Sequence, residues 1–359
     1  MALLIGLAWP QPGTEVSSWM VADYRVVQTL NVMTVFLISG LNLKSADIRA
    51  AVSREGSLGF IVGMVLILGV TPLSGFVAVR LPFAEKEFAY GLAIFCGVPT
   101  TIAVGVAMTT AAGGNAALAL MLTVFSNLLG VLITPFWLQA FFSGQDVAID
   151  ALDLLVNLLI TVLAPLLVGQ AIRFLVPPVR TLVTRHKTAL KLISSTSLAL
   201  IVWQTVSRSA EDILAVSGGS IVAIIAASLI MHVAYLVVSF VTARYLLRLG
   251  DAELKAVVIM SSEKTLPVAI AVIAFLTNVG SEGLLSIPPI VSQQVQLFMD
   301  SFIATKWGEK TSAAARHAAT AAAGAPPSEL GEPTSTTSAA VAHMAAAPAA
   351  TPPAHTAAV

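Results

Sequence analysis

Apolar runs long enough to cross a hydrocarbon core of roughly 30 Å recur along this chain almost without pause, with polar residues confined to short gaps between them. They are read near 26–43, 57–81, 88–111, 116–142, 149–175, 189–207, 217–247, 254–277 and 283–305, with boundaries free to move by several residues. Inside a bilayer every backbone N–H and C=O needs a partner within the protein, and helices supply one segment by segment. The composition agrees: 359 residues, 57% hydrophobic and 11% charged, with a mean hydropathy of +0.89, which soluble domains rarely reach. The chain is read as an all-α polytopic membrane protein.

The amino terminus, MALLIGLAWPQPG, is apolar only up to Pro10 and Pro12. It is too short to span and has neither a basic n-region nor a small-residue cleavage site. It reads as a first span missing its start, so that about ten transmembrane helices are expected within a transporter domain of residues 1–310. After Thr311 the chain is alanine, threonine, serine and proline, too poor in large apolar residues to pack or insert, and residues 311–359 are expected to form a disordered tail. His317, His343 and His355 in that tail are too irregularly spaced to ligate a metal. The single cysteine, Cys96, lies in an apolar run and reads as a small buried side chain. No basic patch suggests nucleic acid.

Loop charges test the topology separately, because Lys and Arg accumulate on the cytoplasmic side. Lys44, Arg49, Arg54, Arg173, Arg180, Arg185, Lys187, Lys191, Arg244, Arg248, Lys255, Lys306, Lys310 and Arg316 fall in one alternating set of loops. Only Arg25, Arg80, Lys86 and Arg208 fall in the other, beside acids such as Glu15, Glu211, Asp212 and Glu282. Fourteen against four predicts an even number of spans, with both termini on the cytoplasmic or stromal side.

Two spans carry interruptions at matching places. The fourth reads FAYGLAIFCGVPTTIAVGVAMTTAAGG, with Pro99 mid-span before Thr100 and Thr101. The ninth reads KAVVIMSSEKTLPVAIAVIAFL, with Pro267 after Ser261, Ser262, Glu263, Lys264 and Thr265. Taken as two sets of five helices, about 1–142 and 149–305, the chain has a break in the fourth member of each set, and the odd repeat length inverts the second set. Paired broken helices in corresponding positions point to a transport site near the midplane. Proline removes a backbone donor, so a lipid-depth break is tolerated only inside protein or beside a wet cavity. Glu263 and Lys264 stand there because the helix is broken there. A structural ion pair is the bland alternative, but adjacent helical residues do not face one another, so a direct pair needs unwinding or outside partners. Ionisable groups at this depth are read as functional. A Schiff-base lysine is a third reading, ill suited to ten spans with a broken repeat.

The helices after the two breaks carry polar stripes. Gln293, Gln296 and Asp300 lie along one face of the tenth span, and Thr123 and Asn127, with Ser126 and Thr134 nearby, along the fifth. Such stripes also serve as interhelical glue; their place after both breaks favours the site.

At these residues the chain resembles the bile acid:sodium symporter family, closest to its sodium/bile acid cotransporter 7-like branch, which includes plastid sodium/metabolite cotransporter-like proteins. The carrying segments are SGLNL at 39–43, GGNAALALMLTVFSNLLGVLITPF at 113–136, SSEKTLP at 261–267 and GLLSIPPIVSQQVQLFMDSF at 283–302. The resemblance implies ten helices in core and panel domains, helices 4 and 9 crossing at their breaks, and alternating access. It also implies a sodium site at Glu263 and Thr123. The family glutamine four residues beyond the glutamate is Pro267 here, the serine a turn before the threonine is Ala119, and a Ser-Asn pair falls near Gly105 and Val106.

The expected function is secondary, symport-like transport of a small organic anion, coupled to Na+ or H+, with Glu263, Lys264, Ser262, Thr265, Pro267, Pro99, Thr100, Thr101, Thr123, Asn127, Gln293 and Gln296 at the site. No enzyme chemistry and no cofactor beyond the coupling ion are expected, and no GxxxxGK[ST] loop offers nucleotide binding. A membrane regulator of calcium homeostasis on the same scaffold is the alternative. The host bilayer is read as plasma membrane or plastid envelope.

Overall fold

The computed structural model describes residues 2–21, 24–42, 57–101, 104–276 and 278–324. Lys44, Arg49 and Arg54 of the charge alternation, and the tail from residue 325, lie outside the described residues. Helix α1 (Ala2–Ala8) is followed at once by α2 (Pro10–Ser17), which Pro10 opens at a position where its missing N–H is no loss. A two-residue ribbon pairs Met20–Val21 with Tyr24–Arg25. Helix α3 (Val26–Asn42) follows.

The next span is continuous but uneven. Helix α4 (Ser57–Val65) passes into a π turn (Leu66–Val70), a 3-10 turn (Thr71–Ser74) and α5 (Gly75–Ala78). Pro72 has no N–H to return to the preceding turns, so their carbonyls look elsewhere. Leu68 O accepts from Trp137 Nε1 at 2.8 Å, and Ile67 O from Thr71 Oγ1 at 3.2 Å.

The fourth span is two helices, α6 (Lys86–Gly97) and α7 (Val104–Ala111). Helix α8 (Ala116–Phe142) is capped by Asn115, whose Oδ1 accepts from Leu118 N at 3.0 Å. Then come α9 (Ala151–Leu158), a π turn (Leu159–Leu163) and α10 (Ala164–Leu175) as one stretch. The loop expected before the seventh span holds a short helix, α11 (Pro177–Arg185), ahead of α12 (Lys187–Arg208) and α13 (Ala210–Leu214). Helix α14 (Gly218–Val241) ends in a π turn, and the ninth span divides into α15 (Asp251–Ser262) and α16 (Leu266–Phe275). Helix α17 (Glu282–Gly324) continues past Thr311, so the first part of the stretch expected to be disordered is helical; its alanines are strong helix formers.

Among the described residues, six stretches are long and apolar enough to cross a membrane: Leu58–Ala78, Ala116–Phe142, Ala151–Leu175, Lys187–Arg208, Gly218–Leu246 and Asp251–Phe275. The chain is a mostly helical, multi-pass membrane protein. Residues 1–309 form one compact unit built of two helical layers. In the first, α10 and α12 both pack on α3, and α1 and α2 pack on α12. Gly40 makes this contact close: a Cβ there would stand 2.0 Å from the Leu166 carbonyl oxygen. In the second, α15 packs on α4, α7, α8 and α14, and α16 packs on α6. Burial ranks these helices. Of the apolar window in Asp251–Phe275, 94% is buried inside the protein, against 22% in Gly218–Leu246. The broken ninth span is the interior of the bundle, and α14 faces outward.

Candidate functional site

The two breaks meet. Thr265 N donates to Pro99 O at 3.0 Å, a single backbone bond joining the chain between α6 and α7 to the chain between α15 and α16. Around it, five successive carbonyls left without helical partners each receive a donor from elsewhere. Gly97 O accepts from Thr134 Oγ1 at 2.9 Å, Val98 O from Lys264 Nζ at 3.0 Å and Pro99 O from Thr265 N. Thr100 O accepts from Asn127 Nδ2 at 2.9 Å, and Thr101 O from Thr123 Oγ1 at 3.4 Å. The polar stripe of α8 thus serves three of these five carbonyls and the other break serves the remaining two, as buried backbone requires.

Helix α17 treats the other break in the same way. Gln296 accepts from Lys264 N at 3.1 Å and donates Nε2–H to Lys264 O at 2.7 Å. Gln293 Oε1 accepts from Leu266 N at 3.2 Å. Pro267 lies in the first turn of α16, where its ring suits the start of a helix. Ser262 is spent locally, its hydroxyl donating to Ile259 O at 3.0 Å.

Glu263 and Lys264 are both fully buried and, among the described residues, form no ion pair with each other. Glu263 Oε2 accepts from Thr101 Oγ1 at 2.5 Å, and that hydroxyl in turn accepts from Gly105 N at 3.0 Å. Gly105 is needed there: a Cβ would stand 2.8 Å from Glu263 Oε2 and 2.9 Å from Thr101 Oγ1. Lys264 reaches the opposite way. Its ammonium rests on Val98 O and, at 3.3 Å, on Ile67 O, the carbonyl exposed by the π turn, with the Tyr235 ring 5.9 Å away. Its ligands are carbonyl oxygens, as they would be for a bound metal cation.

Sequence reasoning placed Asp300 on the stripe but missed its partner. His232, on α14, sits 2.9 Å from Asp300 Oδ1 with both residues buried, and the Asp300 carboxyl also interacts with that of Glu263. The rule that singled out Glu263, an ionisable group inside an apolar span, applies equally to His232. Among the described residues, Glu263 Oε1, Asp300 Oδ2, Asn127 Oδ1, Thr100 Oγ1 and Ser261 Oγ are buried without a hydrogen-bond partner. The site is therefore rich in unused oxygen and holds a lysine with no carboxylate on it.

A bundle in which two interrupted helices meet at their breaks, with non-helical carbonyls and ionisable side chains at the meeting point, has the architecture of a secondary transporter. Residues 1–309 match the SBF-like CPA transporter family, and the chain belongs to it. It is 34% identical over 311 residues to the probable sodium/metabolite cotransporter BASS4, chloroplastic, of Arabidopsis thaliana, covering 84% of this chain and 70% of that one. The protein of that name from Oryza sativa subsp. indica is 33% identical over 287 residues, 77% of this chain and 67% of the relative. Sodium/bile acid cotransporter 7 of Rattus norvegicus is 24% identical over 308 residues, 84% of this chain and 89% of the relative.

Proposed function

We propose that the chain is a secondary active transporter of a small organic anion, coupled to one monovalent cation. The observation that carries this reading is the Lys264 ammonium at the crossing of the two breaks, bound only to carbonyls of Val98 and Ile67 among the described residues. Carbonyl oxygens satisfy its hydrogen bonds but do not neutralise its charge, so an anion arriving beside it supplies what the protein does not. Lys264 acts as a tethered cation on the freed carbonyls of the fourth span, where a family member of the usual pattern would use a sodium ion.

Charge bookkeeping supports the coupling ion. Counted as two carboxylates and one ammonium, the cluster of Glu263, Asp300 and Lys264 sums to minus one, with the His232 ring 2.9 Å from Asp300. One monovalent cation among the unused oxygens of Glu263, Asp300 and Ser261 brings it to zero. Sodium is favoured by the names of the relatives, sodium/metabolite and sodium/bile acid cotransporters; a proton shared between the two carboxyls balances the charge equally. The scaffold we infer is ten helices in two inverted sets of five, about 1–142 and 149–305, both termini on one side, in a plasma membrane or plastid envelope. The matched roles of α8 and α17 beside the two breaks support that repeat.

The test is uptake into proteoliposomes of a panel of labelled organic anions, each with and without sodium and pH gradients. Accumulation driven by either gradient is the expected result. No accumulation of any anion under either gradient would reject the reading.

A further inference from the structure

The two layers are also tied at the end of the bundle where α3 and α17 begin and α12 ends. Arg25, entering α3, and Arg208, ending α12, both belong to the first layer. Glu282, the first residue of α17, belongs to the second, which the bonds from Gln293, Gln296, Ser292 and Asp300 to α14 and the ninth-span break establish. Arg208 forks onto the Glu282 carboxylate through both terminal nitrogens, and Arg25 closes on the same carboxylate. Gln28 Oε1 accepts from Arg208 Nη2 at 3.5 Å, and Gly283 N donates to Ser209 Oγ at 3.0 Å. No other ion pair among the described residues joins the two layers.

Two guanidinium groups on one carboxylate leave the cluster one positive charge in excess, and Arg208 Nε is buried with no acceptor. The planar fork of an arginine matches any carboxylate in the same geometry. The two arginine side chains are 23% and 17% exposed and Glu282 9%, so the pairs are largely desolvated and Glu282 leaves only when another carboxylate takes its place on the guanidinium groups. Behind the cluster, between α3 and α16, lies a cavity of about 40 Å³ lined by Arg25, Gln28, Thr29, Ala274 and Phe275 among others. It has room for a water and not for an organic anion, so this end is shut. On the outer flank of Arg208 a cavity of about 500 Å³ is lined by Glu15, Glu211 and Asp212, whose charges repel an anion and leave the seam between the layers as its path.

We propose that Arg25 and Arg208 form a carboxylate-binding clamp that Glu282 fills in this conformation, and that an organic anion replaces Glu282 there, parting the layers at this end. The ligand class rests on the transporter reading above; the clamp itself does not. Exchange of one carboxylate for another breaks the ionic link between layers while both arginines stay paired, so the step costs no unpaired charge on the first layer and leaves the bond from Gly283 N to Ser209 Oγ as the polar tie still to part at this end.

The experiment uses the full chain, purified in detergent, with Cys96→Ala and a reporter Thr29→Cys in the seam, and reads the rate of maleimide labelling. Glu282→Gln should label at least tenfold faster. Sodium acetate in place of sodium chloride at equal ionic strength should speed the parent several-fold and leave Glu282→Gln unchanged. Arg208→Lys, which keeps the charge and loses the fork, should no longer distinguish acetate from chloride. Equal rates in acetate and chloride for the parent, or a Glu282→Gln rate equal to the parent's, would overturn the clamp. The readout needs no transport: failure to find a transported anion leaves it standing, and a flat labelling response removes it whatever the uptake shows.

Discussion

Gln296 holds the backbone of Lys264 from both sides, accepting from its N–H at 3.1 Å and donating to its C=O at 2.7 Å. A side-chain amide has one acceptor and two donors in one plane, so it stands in for a neighbouring strand at the point where the helix is absent. Asn127 gives its amide to Thr100 O at the other break. The lysine that would meet the substrate is thus fixed through its main chain, and its side chain stays free to answer charge.

Replacing Gln296 by Leu keeps the volume and removes both bonds. Two buried backbone groups left unmade should cost about 2–6 kcal/mol together. Gln293→Leu, which frees only Leu266 N, should cost about half as much. Thermal unfolding in detergent measures both, and equal melting temperatures for Gln296→Leu and the parent would show that the clamp on Lys264 is not needed.

Lys264→Gln separates charge from fold. Removing this buried cation relieves its own desolvation but also takes the one positive charge away from Glu263 and Asp300; the two effects oppose, and the melting temperature should change little. Anion uptake should fall at least a hundredfold at subsaturating substrate, because the attraction that seats the anion is gone. Uptake within tenfold of the parent would remove the lysine from the site.

Much of this was legible in the sequence, for a physical reason. Proline and charge are costly at bilayer depth, so Pro99, Pro267 and the SSEKT run announce the breaks, and four-residue spacing announces the stripe of Thr123 and Asn127. Which donor meets which carbonyl was not legible, because it depends on the rotation of α8 and α17 about their axes. The contact of Lys264 with Ile67 arises at the π turn ahead of Pro72, in a span whose hydropathy gives no sign that a carbonyl there would meet a lysine. Arg25, Arg208 and Glu282 lie in separate loops, and only the packing of the layers brings them to one carboxylate.

Gly105 fills the place where the family resemblance expects a side chain that binds sodium, and it is there to admit the Glu263 carboxylate. Gly105→Ala puts a methyl 2.8 Å from both Glu263 Oε2 and Met260 Sδ. Overpacking of this kind costs roughly 1–3 kcal/mol, and here it should also break the bond from Thr101 to Glu263. The expected phenotype is lowered stability with coupled uptake reduced more than uncoupled anion exchange. A variant that keeps the parent's gradient-driven uptake would show that Glu263 does not need Thr101.

The last prediction concerns stoichiometry. Counted as two carboxylates, one ammonium and an uncharged imidazole hydrogen-bonded to Asp300, the buried cluster sums to minus one, and binding one monovalent cation together with one monoanion leaves that sum unchanged. On the proposed reading the cation sits among the carboxylates and the monoanion on the ammonium of Lys264, so the empty and the loaded site carry the same charge. The proposed cargo is one monovalent cation with one monoanion, and its sum is zero. Uptake of a labelled monoanion from the panel should therefore respond to the sodium or proton gradient and be indifferent to membrane potential. A potassium diffusion potential set with valinomycin across proteoliposomes, at fixed sodium and pH, tests this directly. An inside-negative potential that speeds uptake several-fold would mean that more than one cation accompanies the anion. In that case Lys264 does not stand in for a sodium ion, and the unused oxygens of Asn127 and Thr100 would be holding a second one. Sodium replaced by choline at fixed pH then decides which cation fills the cluster. Loss of uptake in choline assigns it to sodium, and uptake kept in choline but abolished by collapsing the pH gradient assigns it to a proton shared by Glu263 and Asp300.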